Sequence, residues 1–167
     1  SGSIYKEIVN QVESYSEAMV VASTHGGSGF EEFFIGSNAY KILSATNRPV
    51  MTIRKNKCPH DIRKIVLPID ITVDSRQKVP FTADMAVLFG AEIHLITISS
   101  SKSKKLEHRL ESYSHQVEKY LRSRQIPYKT KSLYGNNIVD LIVVYADSVD
   151  ADLISIMKEQ PKSLNFL

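Results

Sequence analysis

The sequence VVASTHGGSG at residues 20–29 decides the fold, because an apolar run typical of a buried strand leads directly into small residues and glycines. Another small pair, Gly36 and Ser37, follows Gly26 after a nine-residue spacer and stands where a helix is predicted to begin. Small residues allow backbone N–H groups to approach a ligand closely, and a helix N-terminus attracts anions. The stretch therefore predicts a strand, a turn and a helix arranged around an anionic group such as a phosphate.

Composition limits the classes of protein to which the chain can belong. The 167 residues are 43% hydrophobic, which is enough for a sizeable core. A net charge of +3, spread along the chain, gives no support for a nucleic-acid partner. The single cysteine, Cys58, excludes an intrachain disulfide and a multi-cysteine metal site, and no apolar window approaches the roughly 20 residues of a membrane span. We expect a cytoplasmic protein without a membrane partner.

The spacing of apolar residues predicts an alternation of strands and helices. Six short runs rich in β-branched and aliphatic residues predict strands at residues 19–22, 50–53, 65–71, 93–98, 128–133 and 153–157. Segments with helical spacing lie between them, and the one at 75–89 must hold Pro80 in or near its first turn. Asn137 is predicted to cap one helix and Gly90 to end another. Such alternation is typical of an α/β fold with a parallel sheet.

An internal repeat indicates how the chain is organised. The segment from Gly2 to Val21 resembles the segment from Gly135 to Ile154, each a helical pattern followed by a strand. A single ordinary domain does not repeat one of its own strands in this way. The polar, strand-poor stretch at 54–63 has the character of a linker between two units.

With this organisation the chain resembles the universal stress protein family. The family's nucleotide motif, G-x2-G-x9-G-S/T, maps onto Ser23, Gly26, Gly36 and Ser37, with serine in place of the leading glycine. Further agreement is found at residues 48–50 (RPV), 68–70 (PID) and 90–91 (GA). The resemblance implies part of a tandem protein: residues 1–54 resemble the C-terminal half of a first repeat, 55–63 a linker, and 64–167 the N-terminal three-quarters of a second repeat.

The resemblance also implies a fold and a ligand. The fold is an open parallel sheet with helices on both faces, Rossmann-like and adenine nucleotide alpha hydrolase-like, with strand order 3-2-1-4-5. Ligands in such sheets bind at the crevice where the connections reverse direction, here between strands one and four. The implied ligand is ATP or AMP, with Mg²⁺ accompanying ATP. The implied contacts are Pro68 and Asp70 on the adenine side, Ser23, Thr24, His25, Gly26 and Gly29 around ribose and phosphates, and Gly36, Ser37 and Asn38 at the terminal phosphates.

Three departures from the family pattern keep a second hypothesis open. Ser23 can crowd the ribose, and Glu31 and Glu32 oppose a polyphosphate if they face it without a cation. In the second repeat, MKEQP at 157–161 stands where the first has STHGG, so no glycine loop is expected there. The alternative is a nucleotide-free dimerisation or interaction domain, and the alternative role of Asp70 is to cap a nearby loop or helix.

Catalysis and assembly are the last points on which the sequence bears. No catalytic triad, metal-ligand spacing or Walker lysine is recognisable, so we expect binding rather than turnover; slow ATP hydrolysis would have only His25 or Asp70 as a base. Two predicted strands, 19–22 and 153–157, compete for one place beside 65–71. The chain either closes on itself as a circular permutant or exchanges its N-terminal segment with another copy, and we favour the exchange, which gives a homodimer.

Overall fold

The computed structural model describes residues 3–23, 37–53 and 61–158. It divides into two compact units, residues 1–59 and 60–167. In the described residues each unit has its own sheet, one of two strands and one of four.

The first unit consists of two helix–strand pairs. Its elements are α1 (Ile4–Glu13), β1 (Val20–Ser23), α2 (Ser37–Ala45) and β2 (Val50–Ile53). The two strands are parallel, with Val20 opposite Val50. Glu13 links α1 to the end of α2, because its Oε1 accepts hydrogen bonds from Thr46 Oγ1 at 2.6 Å and from the Asn47 N–H at 3.1 Å. The Thr46 bond is the main reason why the pKa of Glu13 lies below its ordinary value.

The second unit has four parallel strands in the order β5-β4-β3-β6. Its elements are β3 (Lys64–Ile69), α3 (Asp74–Gln77), α4 (Val79–Phe89), β4 (Glu92–Ser99), α5 (Lys104–Ser123), β5 (Tyr128–Tyr134), α6 (Ile138–Ser148) and β6 (Leu153–Ile154). Counted as strands one to four of the second repeat, β3 to β6 have the expected order 3-2-1-4. The boundary between β3 and β6 has β5, β4 and β3 on one side and β6 on the other.

Helices cover both faces of this sheet. One face carries Val66, Ile96 and Ile98, which pack against α6. The alternating residues Ile65 and Leu67 are fully buried on the opposite face, where α4 and α5 pack against β3 and β4. Because side chains alternate along a strand, two buried faces require apolar residues at nearly every position of β3 and β4. This confirms the predicted α/β architecture.

Helix ends follow the sequence signals. Pro80 is the second residue of α4, where a missing N–H costs no helical hydrogen bond. Gly90 ends α4 with φ +65°, the left-handed conformation that favours glycine. Asn137 Oδ1 accepts the Asp140 N–H at 3.3 Å at the start of α6, as predicted. The break between α3 and α4 at Lys78 was not predicted.

The place beside β3 is occupied by β6. Leu153 lies opposite Ile65 and Ile154 opposite Val66, whereas β1 pairs with β2 in the other sheet. The choice between a closed permutant and exchange between copies stays a prediction. The predicted strands at 65–71 and 153–157 end earlier than expected, at Ile69 and Ile154.

The internal repeat is visible as a repeated helix–strand pair. In the first unit α1 begins at Ile4 and β1 at Val20; in the second, α6 begins at Ile138 and β6 at Leu153. The elements thus recur at the spacing seen in the sequence, with the same element types in the same order.

The edge strands of the larger sheet differ from its centre. In β5, only Tyr128 and Leu133 are half-buried and the remaining residues are exposed, including Lys129 and Lys131. At the other side of the sheet, β6 has only two residues. Within the described part of the chain, the well-buried strands are the two central ones.

Candidate functional site

The candidate site in the second unit lies where β3 ends. Pro68 is the fifth residue of β3, opposite Ile96 of β4. A proline has no N–H group to donate to a neighbouring strand. Because β6 pairs with β3 only at Ile65 and Val66, Pro68 lies beyond the part of β3 that pairs with β6. Asp70 follows immediately after the strand and is half-buried.

Asp70 is held by the turn that it begins. Its Oδ1 accepts hydrogen bonds from the Thr72 N–H at 2.7 Å and from Thr72 Oγ1 at 2.5 Å. The Asp70 N–H donates to Ser75 Oγ at 3.2 Å. Burial raises the pKa of Asp70, but the hydrogen bonds from Thr72 and Ser75 and the attraction of Lys78 outweigh it, so this pKa lies below its ordinary value. The site therefore contains an ionised, oriented carboxylate, and its bonds to Thr72 are those of a loop cap.

Lys78 is a site residue that sequence reasoning missed. It lies between α3 and α4, only 8% exposed, and its Nζ donates to the Ser75 carbonyl at 2.5 Å. Burial lowers the pKa of Lys78 to about 8, although the nearby Asp70 charge acts to raise it. The signal that could have identified Lys78 is its place directly before the apolar sequence VPFTADMAVLF, four residues before Thr82.

The remaining described candidates lie in the first unit. Ser23 is the last residue of β1, opposite Ile53, while Ser37 and Asn38 are the first two residues of α2 and are exposed. The motif's spacer therefore joins a strand end to a helix start, as the sequence predicts. Thr24, His25, Gly26, Gly29 and Gly36 lie outside the described residues.

The two groups of candidates belong to different units. Pro68 and Asp70 are brought to one end of β3, and Ser23, Ser37 and Asn38 to the β1–α2 connection. In the described ranges no cluster of three or more histidine, cysteine, aspartate or glutamate side chains could hold a metal ion. None of the helices described is both long and apolar enough to cross a membrane.

A second buried polar cluster lies on the α6 face of the sheet. His94, 3% exposed, contacts Tyr145 Oη through Nδ1 at 3.0 Å and Glu92 Oε1 through Nε2 at 2.9 Å. Glu92 also pairs with Lys129 Nζ at 3.0 Å. Burial raises the pKa of Glu92, but its bonds to Lys129 and His94 lower it more. Both ring nitrogens of His94 are engaged, so the cluster joins β4, β5 and α6 and is structural.

Comparison with solved structures identifies the fold. A universal stress protein from Archaeoglobus fulgidus DSM 4304 superposes with a TM-score of 0.69 at 17% identity, over 92% of this chain and 53% of that one. A second universal stress protein from Archaeoglobus fulgidus gives a TM-score of 0.50 at 20% identity, over 56% of this chain and 73% of that one. This chain thus spans about half the length of the first protein, and it has the universal stress protein fold. No family model and no curated protein matches its sequence.

Proposed function

We propose that this chain is a member of the universal stress protein family and binds an adenine nucleotide at the C-terminal ends of its parallel strands. The observation that carries the proposal is the position of Asp70 at the end of β3, with β4 on one side of that strand and β6 on the other. Ligands of open α/β sheets bind where the strand order reverses in this way. An ionised carboxylate there is a hydrogen-bond acceptor for an amino group such as that of adenine.

The motif in the first unit supports a phosphate contact within that unit. Ser37, at the first position of α2, offers a hydroxyl and a backbone N–H at a helix N-terminus. Each such anion contact contributes about 0.3 to 1 kcal/mol, so several are needed for useful affinity. ATP or AMP is the proposed ligand, with Mg²⁺ accompanying ATP.

Calorimetric titration of the full chain with AMP and with ATP plus Mg²⁺ tests the proposal. We expect saturable binding by the wild type and a loss of at least about tenfold in affinity for Asp70→Asn, because one charged hydrogen-bond partner is removed. Asp74→Asn is the matched control, since Asp74 is an exposed carboxylate on α3. Absence of heat and of any thermal shift at millimolar nucleotide would reject the proposal.

A second candidate function is association between copies without nucleotide. It is favoured by the outer side of α6, where Val139 and Val144 are each 67% exposed and Val143 is 37% exposed. An apolar helix surface of this kind is typical of an interaction site. Light scattering on the same samples distinguishes the two functions: a dimer whose mass is unchanged in Gly36→Val, together with no nucleotide binding, favours the second candidate.

A further inference from the structure

The buried ammonium of Lys78 forms no direct ion pair in the described part of the chain, although the charge of Asp70 acts on it. Its one hydrogen bond goes to a neutral acceptor, the Ser75 carbonyl, and no ion pair within 4.0 Å is formed. An ammonium has three donors, and a buried cation without a counter-charge is costly. With a pKa of about 8 the group is still mostly protonated at pH 7. Asp70 supplies the negative charge that acts on this group, but no direct ion pair joins the two in the described residues, so the ammonium has donors left for a further acceptor.

The position of Lys78 links this charge to the boundary between β3 and β6. Thr82 lies one helical turn after Lys78, and the Thr82 N–H and Oγ1 both donate to the Lys78 carbonyl, at 2.9 and 2.8 Å. Thr82 Oγ1 also contacts Ser155 Oγ at 2.6 Å, and the Ser155 N–H donates to the Val66 carbonyl of β3. Residues separated by four on a helix share a face. Lys78 therefore belongs to the face of the α3–α4 segment that meets the ends of β3 and β6.

The sequence after β6 explains why an anion bound at the boundary between β3 and β6 would need a side-chain cation. Residues 155–161 read SIMKEQP, with no glycine and with a proline that lacks an N–H group. The corresponding first-repeat sequence contains the small residues through which backbone N–H groups reach an anion. The second repeat thus lacks the glycine loop but has a buried lysine beside the same strand boundary.

We propose that Lys78 is the cationic contact for the phosphate of a ligand bound between the C-terminal ends of β3 and β6, replacing the glycine loop in the second unit. Beside its bond to the Ser75 carbonyl, Lys78 supplies up to two N–H donors to phosphate oxygens, and Thr72 and Ser75 border the same turn. The ligand class is a phosphorylated small molecule, and a nucleoside monophosphate is the choice that rests on the proposed function. The carboxylate of Asp70 is then assigned to the uncharged part of the ligand.

Calorimetry on the full chain with adenosine, AMP and pyrophosphate tests the role of Lys78. We expect AMP to bind the wild type at least about tenfold more tightly than adenosine, because a charged hydrogen bond is added. Lys78→Met should bind adenosine as the wild type does and lose the preference for AMP. Lys119→Met is the matched control, because it removes an exposed lysine of α5 and should leave both affinities unchanged. In the wild type, the carbon-13 shift of Lys78 Cε should change on addition of AMP and not on addition of adenosine. This measurement does not depend on the folding of a variant.

The outcomes separate this inference from the proposed function. Equal binding of adenosine and AMP, a preference retained in Lys78→Met, or an unresponsive Lys78 resonance overturns the inference while nucleoside binding survives. If neither nucleoside binds, the proposed function fails and pyrophosphate decides: binding that Lys78→Met abolishes supports the inference, and no binding, or equal binding by the variant, overturns it.

Discussion

At the scale of single residues, the second unit contains two polar clusters with different consequences. Asp70 and Lys78 lie near the end of β3, and each engages the turn around Ser75. Glu92, His94 and Tyr145 join the beginning of β4 to α6. In the first cluster the Lys78 ammonium uses one of its three donors within the described residues, whereas the second cluster engages both nitrogens of its histidine. Only the first therefore has unused capacity to bind a ligand.

The Glu92 cluster predicts a loss of stability in acid. Because the folded pKa of Glu92 is below its ordinary value of 4.5, its contribution to stability is fully present above that pH and is lost as the pH falls through the folded pKa. We expect Glu92→Gln to lose this part of the pH dependence, measured by urea unfolding between pH 3 and 7. Glu107→Gln, on the exposed side of α5, is the control; a wild-type acid profile shared by Glu92→Gln would contradict the prediction.

At the scale of secondary-structure elements, most bounds could be predicted and a few could not. The strand at 50–53 has the predicted limits, because aliphatic residues between a proline and basic residues mark both ends. The strand at 153–157 stops at Ile154, since it pairs only with two residues of β3 and sequence cannot reveal how far a partner extends. Lys78 was missed because its significance depends on burial by tertiary packing. The nucleotide-contact residues outside the described ranges stay predictions.

Gly90 allows a direct test of element geometry. Its φ of +65° is strained for a β-branched residue, yet a Cβ there would meet no atom within 4 Å. We therefore expect Gly90→Val to lower the free energy of unfolding by about 1 to 2 kcal/mol through backbone strain alone. Gly90→Asn should cost less, because asparagine tolerates this conformation. Equal losses for the two variants, measured by urea unfolding, would show that crowding and not φ sets the cost.

At the scale of the whole molecule, the two units predict two separable responses to core truncation. Ile96 is fully buried in the larger sheet, and Ile42 is 3% exposed in the first unit. We expect Ile96→Ala and Ile42→Ala each to cost about 2 to 5 kcal/mol in its own unit. Hydrogen exchange read residue by residue should show faster exchange in β3 and β4 for the first variant, and in α1 and α2 for the second. Faster exchange throughout the chain for either variant would instead indicate one cooperative unit.

At this scale the order of element types could be predicted from the sequence, whereas the division into parts of two repeats stays a prediction. The four-strand order of the second unit agrees with the order that the resemblance implies. What the sequence could not decide was which of two similar strands lies beside β3. Both candidates are aliphatic runs of the same kind, and the structure places β6 there.

The borders of the larger sheet bear on how the protein resists fibril growth. A long, uncharged outer strand is a template for intermolecular β-pairing, which is how amyloid spreads. Here one border carries Lys129 and Lys131, and the other offers a strand of two residues. Charge repulsion at the first and the short length of the second both disfavour templated addition of further chains. Replacing both lysines by threonine would remove the charge repulsion at the β5 border only. We would then expect fibrils to elongate from the β5 border and not from the β6 border.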